Sequence, residues 1–515
     1  MTAPQTIPHA IIESGRRFGS AQAIVDPKNG VTRYCDLEAQ ILAAARAFIA
    51  KGIRRGERVA LWASNMDRWI IATLALQAAG AVLVPLNTRM KGAEAAYILR
   101  ASNARLLLTV SEFLGADYPA ILATEDLPGL EEVVLLEGQR GGQDWRSFLA
   151  GGAVVGEDRA RARLDELGAE DVCDILFTSG TTGRPKGVPT THGQNLAVYR
   201  TYAFQMGWRA GDRLLSINPF FHSFGYKAGW LCALLNGATV LPEPVFDAAS
   251  VLDRIEAEQI TVLPGPPTIY QSLLEQPLEA RDIASLRLAI TGAAVVPVTL
   301  VQQMRDKLGF ETVLTAYGLT ETCGVVSMCS PSDDIETIAN TAGRPIDGLK
   351  VRIVDKSGQE VVQGEPGEIL VSGVGVMHGY LDDPAATAEA IDADGWLRTG
   401  DIGVLTDSGC ISITDRHKDM IIVGGFNVYP AEIEQVLLLH PSIVEAAVVG
   451  KPDARMGEVG HAVVVIRTGA QLGHTEIIDW CRDRLSNYKV PRSISFVDAL
   501  PRNASGKTEK FRLRS

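Results

Sequence analysis

Short apolar runs recur from the amino terminus to about residue 330. They fall at 57–62 (ERVALW), 81–85 (AVLVP), 104–109 (ARLLLT) and 132–136 (EVVLL), and after a polar interval at 137–170 they resume at 174–178, 213–218, 238–241, 261–264, 287–291 and 312–315. Helix-like stretches separate them, and the alternation predicts an α/β body of βαβ-type layers. The longest apolar stretch, 69–86, is interrupted by Thr73, Gln77, Gly80 and Pro85. It reads as buried helix, turn and strand rather than as a membrane span.

The texture changes between 340 and 415, where the turn pairs Asp347-Gly348, Ser357-Gly358, Asp394-Gly395 and Ser408-Gly409 separate short strand runs. That spacing predicts an antiparallel unit of hairpins. Beyond Lys418, strand candidates at 420–423, 445–450 and 461–466 alternate with helices at 430–439 and 473–486. The expected division is therefore a large unit over 1–417 and a small α+β domain over 418–515. No internal repeat or low-complexity tract interrupts it.

At 515 residues the chain has room for roughly three structural units, so core volume does not limit the fold. Lys plus Arg number 49 against 61 Asp plus Glu, a net charge of -12 that disfavours general binding to nucleic acid or anionic lipid. A single nucleotide can still be held where positive groups and amides converge. The seven cysteines (35, 173, 232, 323, 329, 410 and 481) are scattered and never spaced CxxC, which predicts neither a disulfide framework nor a zinc site. The amino-terminal MTAPQTIPHAIIESGRRFG lacks a basic stretch followed by an apolar segment, so the expected compartment is the cytoplasm.

The chemistry concentrates in a few motifs. FTSGTTGRPKG (177–187) holds three glycines, four hydroxyls and Lys186 within eleven positions, a phosphate cradle in composition. Its glycines let amides approach an anion, while hydroxyls and an ammonium supply further donors. No GxxxxGK[ST] can be aligned there, and PRNASGKT (501–508) has Pro501 where the first glycine should be, so a P-loop NTPase is rejected. GVGVMHG (373–379) fails the dinucleotide spacing as well. TAYGLTE (315–321) brings together an aromatic ring, a glycine, a hydroxyl and a carboxylate suited to a base, a phosphate and Mg²⁺. TGD (399–401), DRHKDMIIVGGFNVYPAEIE (415–434) and PRNASGKTEK (501–510) follow.

These five motifs, in this order and over most of the chain, resemble those of the adenylate-forming superfamily of acyl-CoA synthetases, luciferases and peptide-synthetase adenylation domains. The resemblance implies two βαβ-type subdomains and a small barrel-like one, followed by a small mobile carboxy-terminal domain hinged at Lys418. It implies that Thr178, Ser179, Gly180, Thr181, Thr182, Gly183 and Lys186 hold ATP phosphates. Gly292, Ala293 and Ala294 would lie beside adenine, and Tyr317, next to Gly318, would pack near the base. Thr320 would meet the phosphate under attack, Glu321 would ligate Mg²⁺, and Asp401 with Arg416 would hold the ribose. Lys507 would bridge substrate carboxylate and α-phosphate as charge builds on both. Gly424 and Gly425 would line the tunnel for coenzyme A. Read alone, Asp401 could cap a turn, Arg416 could form a surface ion pair, and Lys507 could be a solvated tail lysine beside the other basic residues of 501–515.

The acyl pocket of such enzymes is lined by segments resembling NPFFHSFGYKAG (218–229) and LPGPPTIYQ (263–271). His222 would stand at its mouth near the acyl carbonyl, although a satisfied core histidine would read the same way. Phe221, Phe224, Tyr226 and Pro266 make a bulky apolar lining suited to a compact ring system, and Lys227 is expected to donate to a ring ketone if it faces the pocket. The two segments most resemble the ligases of bacterial steroid breakdown that activate a propionate on a bicyclic indanedione. Fatty and aromatic acids remain open. So does loading of a carrier protein, although the absence of a carrier-type segment before Ser515 favours free CoA. A non-enzymatic adenylate-binding scaffold is the third class, opposed by the presence of Lys186, Glu321, Asp401 and Lys507. The partners expected are the acid, ATP and CoA, without nucleic acid or an integral membrane association, and the resemblance allows a homodimer.

Overall fold

The computed structural model describes the chain apart from residues 1–3, 179–184, 293–295, 417–420, 424–425, 429, 454–455, 486, 503–507 and 515, and it describes 414–416, 422 and 426–427 by backbone alone. Among the described residues the strands form four sheets. The first runs in the order Gln143–Asp144, Glu132–Glu137, Ala104–Val110, Arg58–Trp62, Val82–Pro85, Val172–Thr178, Lys186–Thr191, and it is parallel up to its last pair. Strands covered by helices on both faces need no polar alternation, which is why Leu106, Leu107 and Leu108 can all be buried in succession.

The second sheet has a parallel centre of Thr312–Tyr317, Leu288–Gly292, Val262–Pro264, Arg213–Ser216 and Thr239–Pro242. Antiparallel strands Ser327–Met328 and Arg344–Pro345 extend one side, and the hairpin of Gln22–Asp26 and Gly30–Arg33 closes the other. The two layered halves meet on the helix Asp67–Ala78, whose residues from Trp69 onward are all buried. The Trp69 ring lies 5.5 Å from Phe220, 5.9 Å from Tyr226 and 6.1 Å from Trp230. Edge-to-face contacts of this kind add specificity to the burial of large rings.

Leu349–Val354, Gly367–Gly373, Leu397–Leu405 and Ile411–Arg416 form the third sheet, an antiparallel meander. The main hydrophobic core takes in residues from Ile7 to Ile411. A separate core, from Ile421 to Ile494, lies under the fourth sheet, in which Gly457–Ile466 is flanked by Ile443–Asp453, Ile421–Val423 and Ser493–Phe496. All seven cysteines are free thiols, and no helix among the described residues is long and apolar enough to cross a membrane.

Several elements differ from the sequence reading. The polar interval 137–170 contains helices Trp145–Gly151 and Glu157–Asp165, each anchored by a few apolar side chains such as Phe148 and Leu164. The helix expected over 473–486 covers His474–Arg482, and the strand expected over 445–450 extends across Ile443–Asp453.

Candidate active site

Several of the residues singled out by sequence follow the carboxyl ends of parallel strands in the first two sheets, where an open α/β sheet leaves a crevice for ligands. Val172–Thr178 leads into 179–184, Arg213–Ser216 into the segment of Phe221, His222 and Phe224, and Val262–Pro264 into Pro266. Leu288–Gly292 ends beside Ala293, and Thr312–Tyr317 leads directly into Thr320 and Glu321. Ser179, Gly180, Thr181, Thr182, Gly183, Ala293, Ala294, Lys418, Gly424, Gly425 and Lys507 lie outside the described residues, as does the side chain of Arg416.

Thr178 and Lys186 face each other across the hairpin that brackets 179–184. The Thr178 hydroxyl donates to the Lys186 carbonyl at 3.5 Å, and the Tyr97 hydroxyl holds the Pro185 carbonyl at 3.1 Å. The Lys186 ammonium stands 4.9 Å above the centre of the Tyr380 ring. On the other side the Tyr380 hydroxyl donates to Glu321 Oε1 at 3.1 Å. Burial, together with the adjacent Glu321 carboxylate, pushes the Tyr380 phenol above its ordinary pKa and keeps it a donor.

Glu321 stands on a short turn made possible by Gly318. A side chain there would begin 2.2 Å from the Gly324 carbonyl, so only glycine permits the chain to double back so closely. Tyr317, just before it, donates its hydroxyl to Asp401 Oδ2 at 2.6 Å. Asp401 is 4% exposed and lies opposite Arg416 in the meander, with its own amide on the Thr399 hydroxyl at 3.1 Å. An aromatic ring and a carboxylate are thereby fixed edge to edge, an arrangement suited to a base and the vicinal hydroxyls of its sugar.

Glu321 fits Mg²⁺, a cation that takes one or two carboxylates and completes its octahedron from substrate phosphates and water. No cluster of three or more His, Cys, Asp or Glu side chains among the described residues could hold a metal without such a substrate.

In the acyl segment, Gly225 packs where a side chain would begin 2.3 Å from the carbonyls of Asn218 and Pro219. His222 caps the turn, its Nδ1 accepting from the Phe224 amide at 3.2 Å. Tyr226–Leu231 then winds as a π-helix, a rare form that often marks functional sites. Phe221, His222, Phe224 and Pro266 remain half-buried.

Lys227 and Tyr226 behave otherwise than expected. The Lys227 ammonium, 1% exposed, donates to Asp174 Oδ1 at 2.9 Å and to the Thr190 hydroxyl at 2.9 Å, and Asp174 is fully buried. Burial is the largest single influence and opposes the charge, but Asp174 together with the neighbouring Cys323 and Cys173 outweighs it, and the Lys227 pKa lies above its ordinary value. An ammonium at this depth must sit against its counter-charge, so Lys227 is engaged inward and is not a donor to a ring ketone. Tyr226 likewise belongs to the core. Its ring stacks on Trp230 at 4.9 Å and its hydroxyl accepts from Gln77 Nε2 at 2.9 Å.

Sequence reasoning missed Tyr380 and the Asp174 network. GVGVMHG was tested only as a dinucleotide loop, and the GYLDDP that continues it (379–384) carries the tyrosine. Asp174 and Lys227 are 53 positions apart, and no local pattern joins them.

A family model described as AMP-binding enzyme matches residues 12–381, and one described as AMP-binding enzyme C-terminal domain matches residues 432–507. A Mycobacterium tuberculosis protein named 3-[(3aS,4S,7aS)-7a-methyl-1,5-dioxo-octahydro-1H-inden-4-yl]propanoyl:CoA ligase is 48% identical over 99% of this chain and 98% of its own length. Its namesake from Rhodococcus jostii is 47% identical over 99% of this chain and 98% of its own. Among solved structures, ATP-bound MatB from Rhodopseudomonas palustris superposes with a TM-score of 0.86 at 31% identity, covering 98% of both chains.

Proposed function

The chain belongs to the AMP-binding enzyme family, and from that premise we propose that it is an AMP-forming acid–thiol ligase acting on a bicyclic indanedione propionate. The reaction has two halves. A carboxylate oxygen of the acid attacks the α-phosphorus of ATP, the bond to the β-phosphate bridging oxygen breaks, and pyrophosphate leaves. The sulfur of coenzyme A then attacks the acyl carbon, its proton passes to solvent, and the acyl–oxygen bond breaks to release AMP.

Neither half needs a strong base, so the protein's part is positioning and charge stabilisation. Lys186, with Thr178, Ser179, Gly180, Thr181, Thr182 and Gly183, holds the phosphates. Tyr317 and Gly318, with Gly292, Ala293 and Ala294, frame the base, while Asp401 and Arg416 take the ribose hydroxyls. Thr320 donates to the phosphate under attack. Glu321 holds Mg²⁺, which when bound neutralises charge on the phosphate oxygens. Lys507 stabilises the charge shared by carboxylate and α-phosphate, worth several kcal/mol in a site closed to water. Rotation at Lys418 then exchanges Lys507 for the segment of Gly424 and Gly425, along which the thin arm of coenzyme A passes.

The observation that carries this reading is the linkage of Lys186, Glu321, Tyr317 and Asp401, drawn from three different sheets, through Tyr380 on one side and the Tyr317 to Asp401 hydrogen bond on the other. The choice of acid rests on two relatives bearing the same ligase name and on the compact lining of Phe221, Phe224 and Pro266 beside His222. With Lys227 engaged in the core, shape and apolar contact select the ring system. A homodimer and a cytoplasmic location complete the proposal.

The test is CoA-dependent AMP formation with an indanedione propionate, a medium-chain fatty acid and an aryl acid. The ring acid should lead in kcat/KM by on the order of a hundredfold, the scale on which a shaped apolar pocket discriminates. Equal or better efficiency with either competitor would reassign the substrate, and acyl transfer to a phosphopantetheinyl carrier but not to free CoA would reassign the acceptor.

A further inference from the structure

We infer that Tyr380 is a positioning residue that holds the Glu321 carboxylate and the Lys186 ammonium on separate sides of one phenol, so that both are poised for the metal nucleotide before it arrives. The inference rests on the roles proposed above for those two residues. It is carried by how firmly Tyr380 is built in.

The segment 377–381 is stitched to both neighbours by backbone. The Met377 amide donates to the Glu321 carbonyl at 2.8 Å, and the Leu381 amide donates to the Gly187 carbonyl at 2.8 Å. Between them the Tyr380 amide donates to the Thr387 hydroxyl at 2.9 Å, and that hydroxyl donates to the Asp383 carbonyl at 2.8 Å. Gly379, at φ +153°, lies where a side chain would begin 2.8 Å from Thr387 Cγ2, so the chain presses directly on the helix Pro384–Ala390. The ring therefore has a fixed base on the turn of Glu321 on one side and on the strand of Lys186 on the other.

Its two surfaces then do different work. The hydroxyl edge meets the carboxylate at 3.1 Å, a charge-assisted hydrogen bond that orients Glu321. The π face meets the ammonium at 4.9 Å, an attraction that holds the lysine without engaging it in an ion pair. Opposite charges converging on an open cleft would otherwise pair with each other, and that pair would have to break before phosphate and metal could bind.

Calorimetric titration of the full chain with ATP, in Mg²⁺ and in EDTA, separates the two surfaces. Tyr380→Phe keeps the face and loses the hydroxyl. It should weaken binding of ATP in Mg²⁺ about tenfold, the scale of one hydrogen bond to a charged group, and leave binding in EDTA unchanged. Tyr380→Leu loses both and should weaken both titrations. Thr387→Val, which removes the anchor of the Tyr380 amide, should shift the Mg²⁺ titration in the same direction as Tyr380→Phe by a smaller factor and serves if the leucine variant does not fold. Equal weakening by Tyr380→Phe with and without Mg²⁺, or no weakening in either, overturns the inference. Glu321→Gln is the separate control on the site itself. If it leaves the Mg²⁺ dependence intact, the reading of Glu321 fails; if it abolishes that dependence while Tyr380→Phe changes nothing, only the role of Tyr380 fails.

Discussion

The hairpin of Val172–Thr178 and Lys186–Thr191 meets a lysine at each end, and the two are treated in opposite ways. At its buried end, where Asp174 lies opposite Thr190, Lys227 comes in from the π-helix and finds a carboxylate and a hydroxyl, each at 2.9 Å. Asn195 joins the same cluster, donating to the Thr190 hydroxyl at 2.9 Å and to the Thr191 carbonyl at 2.9 Å. At its open end Lys186 is half-buried over an aromatic face, with no ion pair to it among the described residues. A buried cation is tolerated only when its field is cancelled within the protein, whereas a cation meant for a ligand must keep its field available. One hairpin thus ties the two layered halves together at one end and presents charge at the other.

The comparison breaks most visibly at the buried end. Asp174→Ala strands the Lys227 ammonium without its partner and should cost about 3–5 kcal/mol of stability, read as a fall in urea midpoint. The double variant Lys227→Met with Asp174→Leu should recover most of that loss, because well-packed apolar side chains commonly replace a buried ion pair without penalty. If the double variant stayed as unstable as the single one, the pair's role would lie in packing rather than in charge.

The open end should answer the other way. Lys186→Ala should leave the denaturant midpoint unchanged and slow pyrophosphate release by about 10²–10³, the usual loss when one donor to a developing charge is removed. A matching loss of stability would mean that Lys186, like Lys227, is part of the scaffold.

A smaller effect, confined to acid, sharpens what burial does to charge. His192 follows the hairpin directly, and its Nδ1 accepts from the Ile7 amide at 3.2 Å. Burial holds its pKa down at about 3 against an ordinary 6.5, outweighing the Asp171 carboxylate, which favours the proton, and acting together with His9, which opposes it. The folded state therefore keeps this imidazole neutral while the unfolded chain binds a proton below 6.5. Its contribution is complete above that pH and is lost progressively as pH falls from 6.5 toward 3. Thermal unfolding measured from pH 7 to 4 should show this slope, and His192→Gln should flatten it. An unchanged slope would place the acid sensitivity elsewhere.

The smallest expected effect separates burial from distance. Lys28 and Glu137 approach to 2.6 Å, closer than Lys227 and Asp174, but their side chains are 69% and 43% exposed. Lys28→Ala should change stability by less than about 1 kcal/mol, since water and salt screen such pairs. A loss comparable with that of Asp174→Ala would show that proximity, not burial, sets the energy.

What was legible in the sequence follows the same division. Parallel strands such as Ala104–Val110 announce themselves because both faces are buried, and the loop ends of those strands announce themselves through Gly, Thr and Lys that a core has no use for. Lys227 misled because its neighbours Phe224 and Tyr226 resemble a pocket wall, and only the fold reveals Asp174 behind it. Tyr380 was invisible for a related reason. Its importance lies in two contacts, to residues 59 positions away at Glu321 and far upstream at Lys186, and neither leaves a periodic trace. The strands Gln22–Asp26 and Lys186–Thr191 went unread because each is defined by its pairing, and Lys186–Thr191 is half composed of polar residues that here are turned to structural use.

The mixed anhydride between the acid and AMP is the step on which the whole account depends. Single turnover with an indanedione propionate labelled with oxygen-18 in its carboxylate tests it directly. The account predicts one labelled oxygen in the AMP released with each thioester, and none in pyrophosphate. Unlabelled AMP, or label carried into orthophosphate with ADP as the nucleotide product, would contradict it.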